Sequence, residues 1–128
     1  MEKLSSNTNA LNWFEIPATD IARAKQFYES IFEIEMFQMD MMGMTMLMFP
    51  TQSPHSGGAL VKSDFHHPSQ TGSIIYLNGN PDLQLVLNRI EAAGGKVTMP
   101  KTHISVDIGY MAFFIDSEGN QVALHSVQ

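Results

Sequence analysis

The groups that could do chemistry in this 128-residue chain are five histidines, thirteen carboxylates and ten methionines. Cysteine is absent, which excludes disulfides, thiolate ligands and a thiol nucleophile, and fits a reducing compartment. His66 and His67 have the residue type of a metal pair, but neighbours on an extended chain point opposite ways, so they read as solvated loop histidines. His55 lies in a loop-like stretch. His103 falls in the second half, where rim residues of a cleft can occur, and is a candidate ligand contact; Asp107 and Tyr110 flank the same region. Trp13 could stack on a planar ligand or serve as core. Tyr76, set among apolar neighbours, is expected to turn outward toward a helix layer.

Seven of the ten methionines fall between Met36 and Met48, several at alternating positions. On a strand those would line one face. Methionine fills irregular space, so the stretch reads as core, as a flexible pocket wall or as an interface. Thioether binding of copper is the remaining chemical reading.

The net charge of −6 argues against nucleic acid or an anionic membrane as the main partner. Met1 to Asn7 lack the apolar run of a signal peptide, and no segment is long and apolar enough to span a bilayer. The expectation is a soluble, cytoplasmic protein. A chain of this length suits one compact domain and buries roughly two-thirds of its unfolded surface.

These residues must be positioned by elements that the pattern predicts twice. After a loose start at 1–10, the run 11–17 reads as a strand. Thr19 or Asp20 can cap a helix whose apolar stripe is Ile21, Ala24, Phe27, Tyr28 and Ile31. Runs at 35–41 and 44–49 flank a Met42-Gly43 hairpin turn, and 57–62 gives a fourth strand. After a polar linker at 63–72, a strand at 73–77 is followed by a helix. Asn80 is its expected cap, Pro81 lies in its first turn, and Gly94-Gly95 ends it. Strands at 96–100, 110–115 and 121–126 complete the second copy. The fold class is α+β: two tandem βαβββ modules, 11–62 and 73–128, form a curved mixed sheet around a cleft with helices outside. One module alone would leave a sheet face uncovered.

Trp13-Phe14-Glu15-Ile16-Pro17-Ala18-Thr19-Asp20 with Ala24-Lys25-Gln26-Phe27-Tyr28 resembles the opening of the vicinal oxygen chelate superfamily. That group includes glyoxalase I, extradiol dioxygenases and bleomycin-resistance proteins. Ile90 to Val97 and the Asp116-Ser117-Glu118-Gly119-Asn120 turn before the last strand agree with it. The resemblance covers nearly the whole chain after Ala10. It is specific for fold and says little about reaction.

The resemblance implies a divalent metal held by His and Glu side chains of the inner face. Here those positions fall on Trp13, near Ser73, on Ala123, and among Gly58 to Val61, which are not plausible ligands. The usual metal site is therefore expected to be missing, and a divalent ion held irregularly is the remaining metal reading. If Trp13 and Ala123 face the cleft, alternation brings Glu15, Gln121 and His125 to the same surface. Glu15 and His125 become candidates for a catalytic pair, and Trp13, Gln121, Ala123 and His103 for the ligand pocket. The bland reading is an inter-strand hydrogen bond, or two side chains that never meet. Two functions follow from the resemblance: a glyoxalase-related lyase or isomerase on a small substrate, or a metal-free protein that sequesters a small molecule. A third reading is an interaction module with a collapsed cleft. A homodimer is implied as well.

Overall fold

The computed structural model describes residues 3–128. The expectation of a loose start lies outside the described residues at positions 1 and 2. Residues 3–10 form exposed turns, in which the Thr8 N–H reaches the Ser5 carbonyl and the Asn9 amide reaches Ser56 Oγ.

The first module runs β1(Trp13–Pro17), α1(Ile21–Phe32), β2(Phe37–Met41), β3(Met44–Met48) and β4(Gly57–Lys62). The second runs β5(Tyr76–Asn78), α2(Gln84–Ala93), β6(Lys96–Ser105), β7(Gly109–Ile115) and β8(Gln121–Ser126). The strand orders are β1-β4-β3-β2 and β5-β8-β7-β6, so one topology occurs twice. In each sheet the first strand pairs parallel with the last, and the other pairs are antiparallel. The sheet is thus two four-stranded mixed sheets rather than one hydrogen-bonded sheet of eight: β1 bonds only β4, and β5 only β8.

Helix α1 forms where its apolar stripe predicts. Ala24, Phe27, Tyr28 and Ile31 are its buried residues, and Asp20 Oδ1 accepts the Arg23 N–H as an N-cap. Helix α2 starts later than expected. Asn80 does not cap it, because its Oδ1 accepts the Val127 N–H at the chain's end. The first N–H groups go instead to Ser126 Oγ at Leu83 and Asp82 Oδ1 at Gln84. Strand β6 passes straight through Pro100 to Ser105, ten residues in all. It is the sheet's edge strand, where a missing N–H costs no ladder bond, and its pairing with β7 shifts register around Met99 to Thr102.

One core joins the modules. Ile16, Phe27, Tyr28, Leu47 and Leu60 from the first pack with Leu83, Ile90, Phe114, Val122 and Leu124 from the second. Gly58 makes room for it: a Cβ there would lie 2.5 Å from the Phe14 ring.

The Asp116–Asn120 turn ties the second module to the first. The Tyr28 hydroxyl donates to Asp116 Oδ2 at 2.7 Å, and Asn120 Nδ2 donates to the Pro17 carbonyl at 2.7 Å. Glu118 accepts from the Thr19 and Asp20 N–H groups at 2.8 and 2.7 Å and from Arg23 Nε at 2.7 Å. Burial, then the adjacent Asp116 carboxylate, pushes the Tyr28 phenol well above its ordinary pKa, so it stays a donor. No described helix is long and apolar enough to cross a membrane.

Candidate functional site

Strand alternation decides which side chains turn away from the helices. In the first sheet Ile16, Leu47 and Leu60 enter the helix-side core. The opposite face therefore carries Trp13 and Glu15 from β1, Ala59 and Val61 from β4, Met44, Met46 and Met48 from β3, and Phe37, Met39 and Met41 from β2. In the second sheet Leu77, Ala112, Phe114, Val122 and Leu124 are core. Tyr76, Asn78, Met111, Phe113, Gln121, Ala123 and His125 share the opposite face. Tyr76 is thus not on the helix side. It is half-exposed on the face of Ala123, with its ring edge-on to Phe113 at 6.2 Å.

Where β1 passes β5 a trough opens. Its narrow end is a cavity of about 210 Å³ between Glu15 and Pro17 on one side and Thr71, Ser73, Ile75 and Gln121 on the other. Glu15, Ser73 and Ile75 also line a wider cavity of about 690 Å³, with Trp13, Tyr76 and Asn78. Tyr76 and Asn78 pass in turn into a third depression of about 620 Å³ that reaches Ile104, Ile108, Met111 and His125. The wider two have the volume of small-molecule sites. Glu15 is the one carboxylate lining these three spaces among the described residues.

Glu15 is held on two sides. Trp13 Nε1 donates to Oε2 at 3.2 Å, and His66 Nε2 lies 2.7 Å from Oε1. His66 Nδ1 lies 2.6 Å from Ser63 Oγ, which also accepts the Phe65 N–H. In the tautomer that carries its proton on Nε2, the ring donates to Glu15 Oε1 and its Nδ1 accepts from the Ser63 hydroxyl. A chain Ser63–His66–Glu15–Trp13 therefore runs from the loop after β4 to the trough wall. His66 is a partner of Glu15 and not a merely solvated loop residue. The Ser63-x-x-His66 turn is its only local signal, since Glu15 lies 51 positions away.

The structure does not bring Glu15 and His125 together. His125 Nε2 lies 2.6 Å from the Ile108 carbonyl, at the far end of the trough. Their strands belong to different sheets, and β5 with Tyr76 stands between them. His103 also departs from the trough. It pairs with Tyr110 on β6/β7, its ring 5.2 Å from that of Tyr110, and Tyr110 packs toward the helix-side core. Gln121 and Trp13 line the trough. Ala123 lies beneath it, fully buried between its register partners Tyr76 and Phe113.

The positions that the resemblance assigns to a divalent metal do not fit one. Trp13 offers an indole whose N–H is spent on Glu15, and Ala123 offers a methyl group under two aromatic rings. Ala59 and Val61 are buried and apolar. Among the described residues no three His, Asp or Glu side chains cluster to hold an ion.

Comparison with solved structures returns one fold. A hypothetical protein from S. aureus aligns at 18% identity and TM-score 0.65, over 94% of this chain and 95% of that one. A glyoxalase/bleomycin resistance protein from Albidiferax ferrireducens aligns at 14% and 0.66, over 92% and 98%. A mutant glyoxalase I from Zea mays aligns at 18% and 0.69, over 89% of this chain but 44% of that one. No curated protein matches. At such identities these likenesses concern fold alone. The family model of the Glyoxalase/Bleomycin resistance protein/Dioxygenase superfamily matches residues 10–124, nearly the whole chain, and the protein belongs to that superfamily.

Proposed function

We propose that the protein binds a small, flat, cationic organic molecule in the trough without a metal ion, with Glu15 as its anchor. The observation that carries this reading is the trough's lining. A single carboxylate, fixed by Trp13 and His66, sits in a wall with Trp13, Ile74, Ile75 and Tyr76, while His67 stands at the narrow end and His125 at the far end. Trp13 and Tyr76 are 38% and 50% exposed, enough to stack on a planar cation. The net charge of −6 adds long-range attraction.

Thermal unfolding with aromatic amines as probes, and aromatic carboxylates of the same shape as controls, tests this. An amine at a hundred times its Kd should stabilise the protein by about 2.7 kcal/mol. Glu15→Gln should weaken amine binding roughly ten- to a hundredfold, the worth of a hydrogen bond to a charged group. Equal stabilisation by amines and carboxylates, or unchanged amine affinity in Glu15→Gln, would end the reading.

The Ser63–His66–Glu15 chain favours a second reading, an acid–base enzyme of lyase or isomerase type. Glu15 would take a proton from the bound substrate while His66 steadies the carboxylate. Conversion of a bound probe, lost in Glu15→Gln and lowered in His66→Gln with binding retained, would select it.

A homodimer completes the proposal. Ile104 and Ile108, 38% and 53% exposed in the far depression of the trough, are apolar surface that a second copy would cover at that end. Sedimentation should give twice the chain mass, and a monomer at working concentration would count against it.

A further inference from the structure

The β2–β3 hairpin carries a pattern that the trough does not use and that the core uses only in part, Met44, Met46 and Met48 packing on Ala59 and Val61. Its face away from the helices is built from Phe37, Met39, Met41, Met44, Met46 and Met48, so five of six positions are methionine. The other face of the same two strands carries Gln38, Asp40, Thr45 and Leu47, with no methionine. Strands favour β-branched and aromatic residues at such positions. An apolar wall alone would be satisfied by any of them, whereas this face selects sulfur at five of six.

Register adds geometry. Met39 lies opposite Met46, and Met41 opposite Met44 across the Met42-Gly43 turn. Cross-strand partners stand roughly 4.5–5.5 Å apart at Cα, and successive residues of one face roughly 6–7 Å along the strand. Each side chain has three free torsions, so thioethers from these four corners can converge on one point. The face is also reachable. Met39 and Met41 are 36% and 44% exposed and Met44 is half-buried, while Met46, at 5%, forms the floor with Ala59 and Val61. The same face has no lysine or arginine on β1 to β4, and the chain's charge of −6 draws cations toward it.

The geometry points to a soft monovalent cation site, for Cu(I) or its redox-silent analogue Ag(I), ligated by the thioethers of Met39, Met41 and Met44 with Met46 beneath. Thioethers select soft ions over zinc, magnesium or calcium, which prefer nitrogen and oxygen donors. The site needs no cysteine and no titratable ligand, so binding is insensitive to proton competition at the ligands. It is separate from Glu15, and failure of the amine-binding reading leaves it untouched.

Titration of the untagged full-length chain with Ag(I) in chloride-free buffer, followed by methionine-methyl NMR, tests the site directly. The expected result is one Ag(I) per chain, with the methyl signals of Met39, Met41 and Met44 shifting together. Cu(I) added under anaerobic conditions should compete for the same site, and zinc should not. The triple variant Met39→Leu/Met41→Leu/Met44→Leu keeps size and apolarity while removing sulfur. It should raise the Ag(I) Kd by at least about tenfold, or 1.4 kcal/mol, with its circular dichroism unchanged. Absence of binding, or unchanged affinity in the triple variant, overturns the assignment. If the triple variant does not fold, Met41→Leu alone, on the rim beside the turn, should still weaken the Ag(I) shifts of the Met39 and Met44 methyl signals, and unchanged shifts of those two at the same Ag(I) concentration would refute it.

Discussion

Asp116→Ala should destabilise the protein by roughly 3–5 kcal/mol, although Asp116 itself lines none of the three spaces of the trough. Its carboxylate is buried and accepts from the Tyr28 hydroxyl, the Glu118 and Asn120 N–H groups and the Asn120 side-chain amide. Removing it strands a buried hydroxyl and two backbone donors, each costing about 1–3 kcal/mol when left without an acceptor. Urea unfolding should show a lower midpoint at unchanged slope. Tyr28→Phe should cost less, about 1.5–3 kcal/mol, because Asp116 Oδ2 keeps Asn120 Nδ2 as a donor. In the Asp116→Ala background the same Tyr28→Phe change should cost almost nothing, since the hydroxyl has already lost its partner. Additive costs would mean that the two side chains act independently, and the Tyr28–Asp116 bond would then not be part of the tie between modules.

The elements that were legible in sequence are those whose signal is local. The stripe Ala24, Phe27, Tyr28 and Ile31 and the Asp20 cap lie within one helix, and each is where the spacing puts it. The Met42-Gly43 turn likewise falls between β2 and β3, with Met42 at φ 53 and Gly43 at φ 77. What sequence did not give were outcomes of competition between distant groups. Asn80 has the type of an N-cap, but the C-terminal segment captures its side chain. Pro100 looked like a strand end, yet on an edge strand nothing required its missing N–H.

The trough was partly legible for the same reason. Alternation carries Trp13 to Glu15 and Ala123 to Gln121, and both steps stay within a strand. The partner of Glu15 was not legible. Glu15 and His125 are related only by which face each occupies, and sharing a face does not set a distance across two sheets. His66 wins because the Ser63 turn after β4 folds back toward β1, which β4 pairs in parallel. A polar linker between modules hides such a contact, since its composition reads as solvent-facing whether or not one residue turns inward.

Glu118 gives the second large effect, and it is one that pH should reveal. Burial alone would push its carboxyl up, but hydrogen bonds from Arg23, the Asp20 and Thr19 N–H groups and Ser117 outweigh this and hold it below the ordinary value of 4.5. A carboxylate with a lowered folded pKa binds protons more readily when unfolded, so its stabilisation is full above that ordinary value. It fades as pH falls toward the folded pKa and is lost below it. Arg23 is half-exposed, which makes its ion pair a small part of the total. The rest comes from the Thr19 and Asp20 N–H groups, which lie just before α1 and end on a side chain with no exposed surface. Glu118→Gln should therefore cost about 2–3 kcal/mol at neutral pH, the range for hydrogen bonds to a charged acceptor. The deficit should shrink in acid, until wild type and variant converge once Glu118 is protonated. It should persist in high salt, which screens the Arg23 charge more than the short hydrogen bonds from the Thr19 and Asp20 N–H groups. Urea midpoints measured from neutral pH downward distinguish the cases. Curves that stay parallel into acid would mean that the charge on Glu118 does not hold the start of α1, and that the tie between modules rests on Asp116 and Asn120 alone.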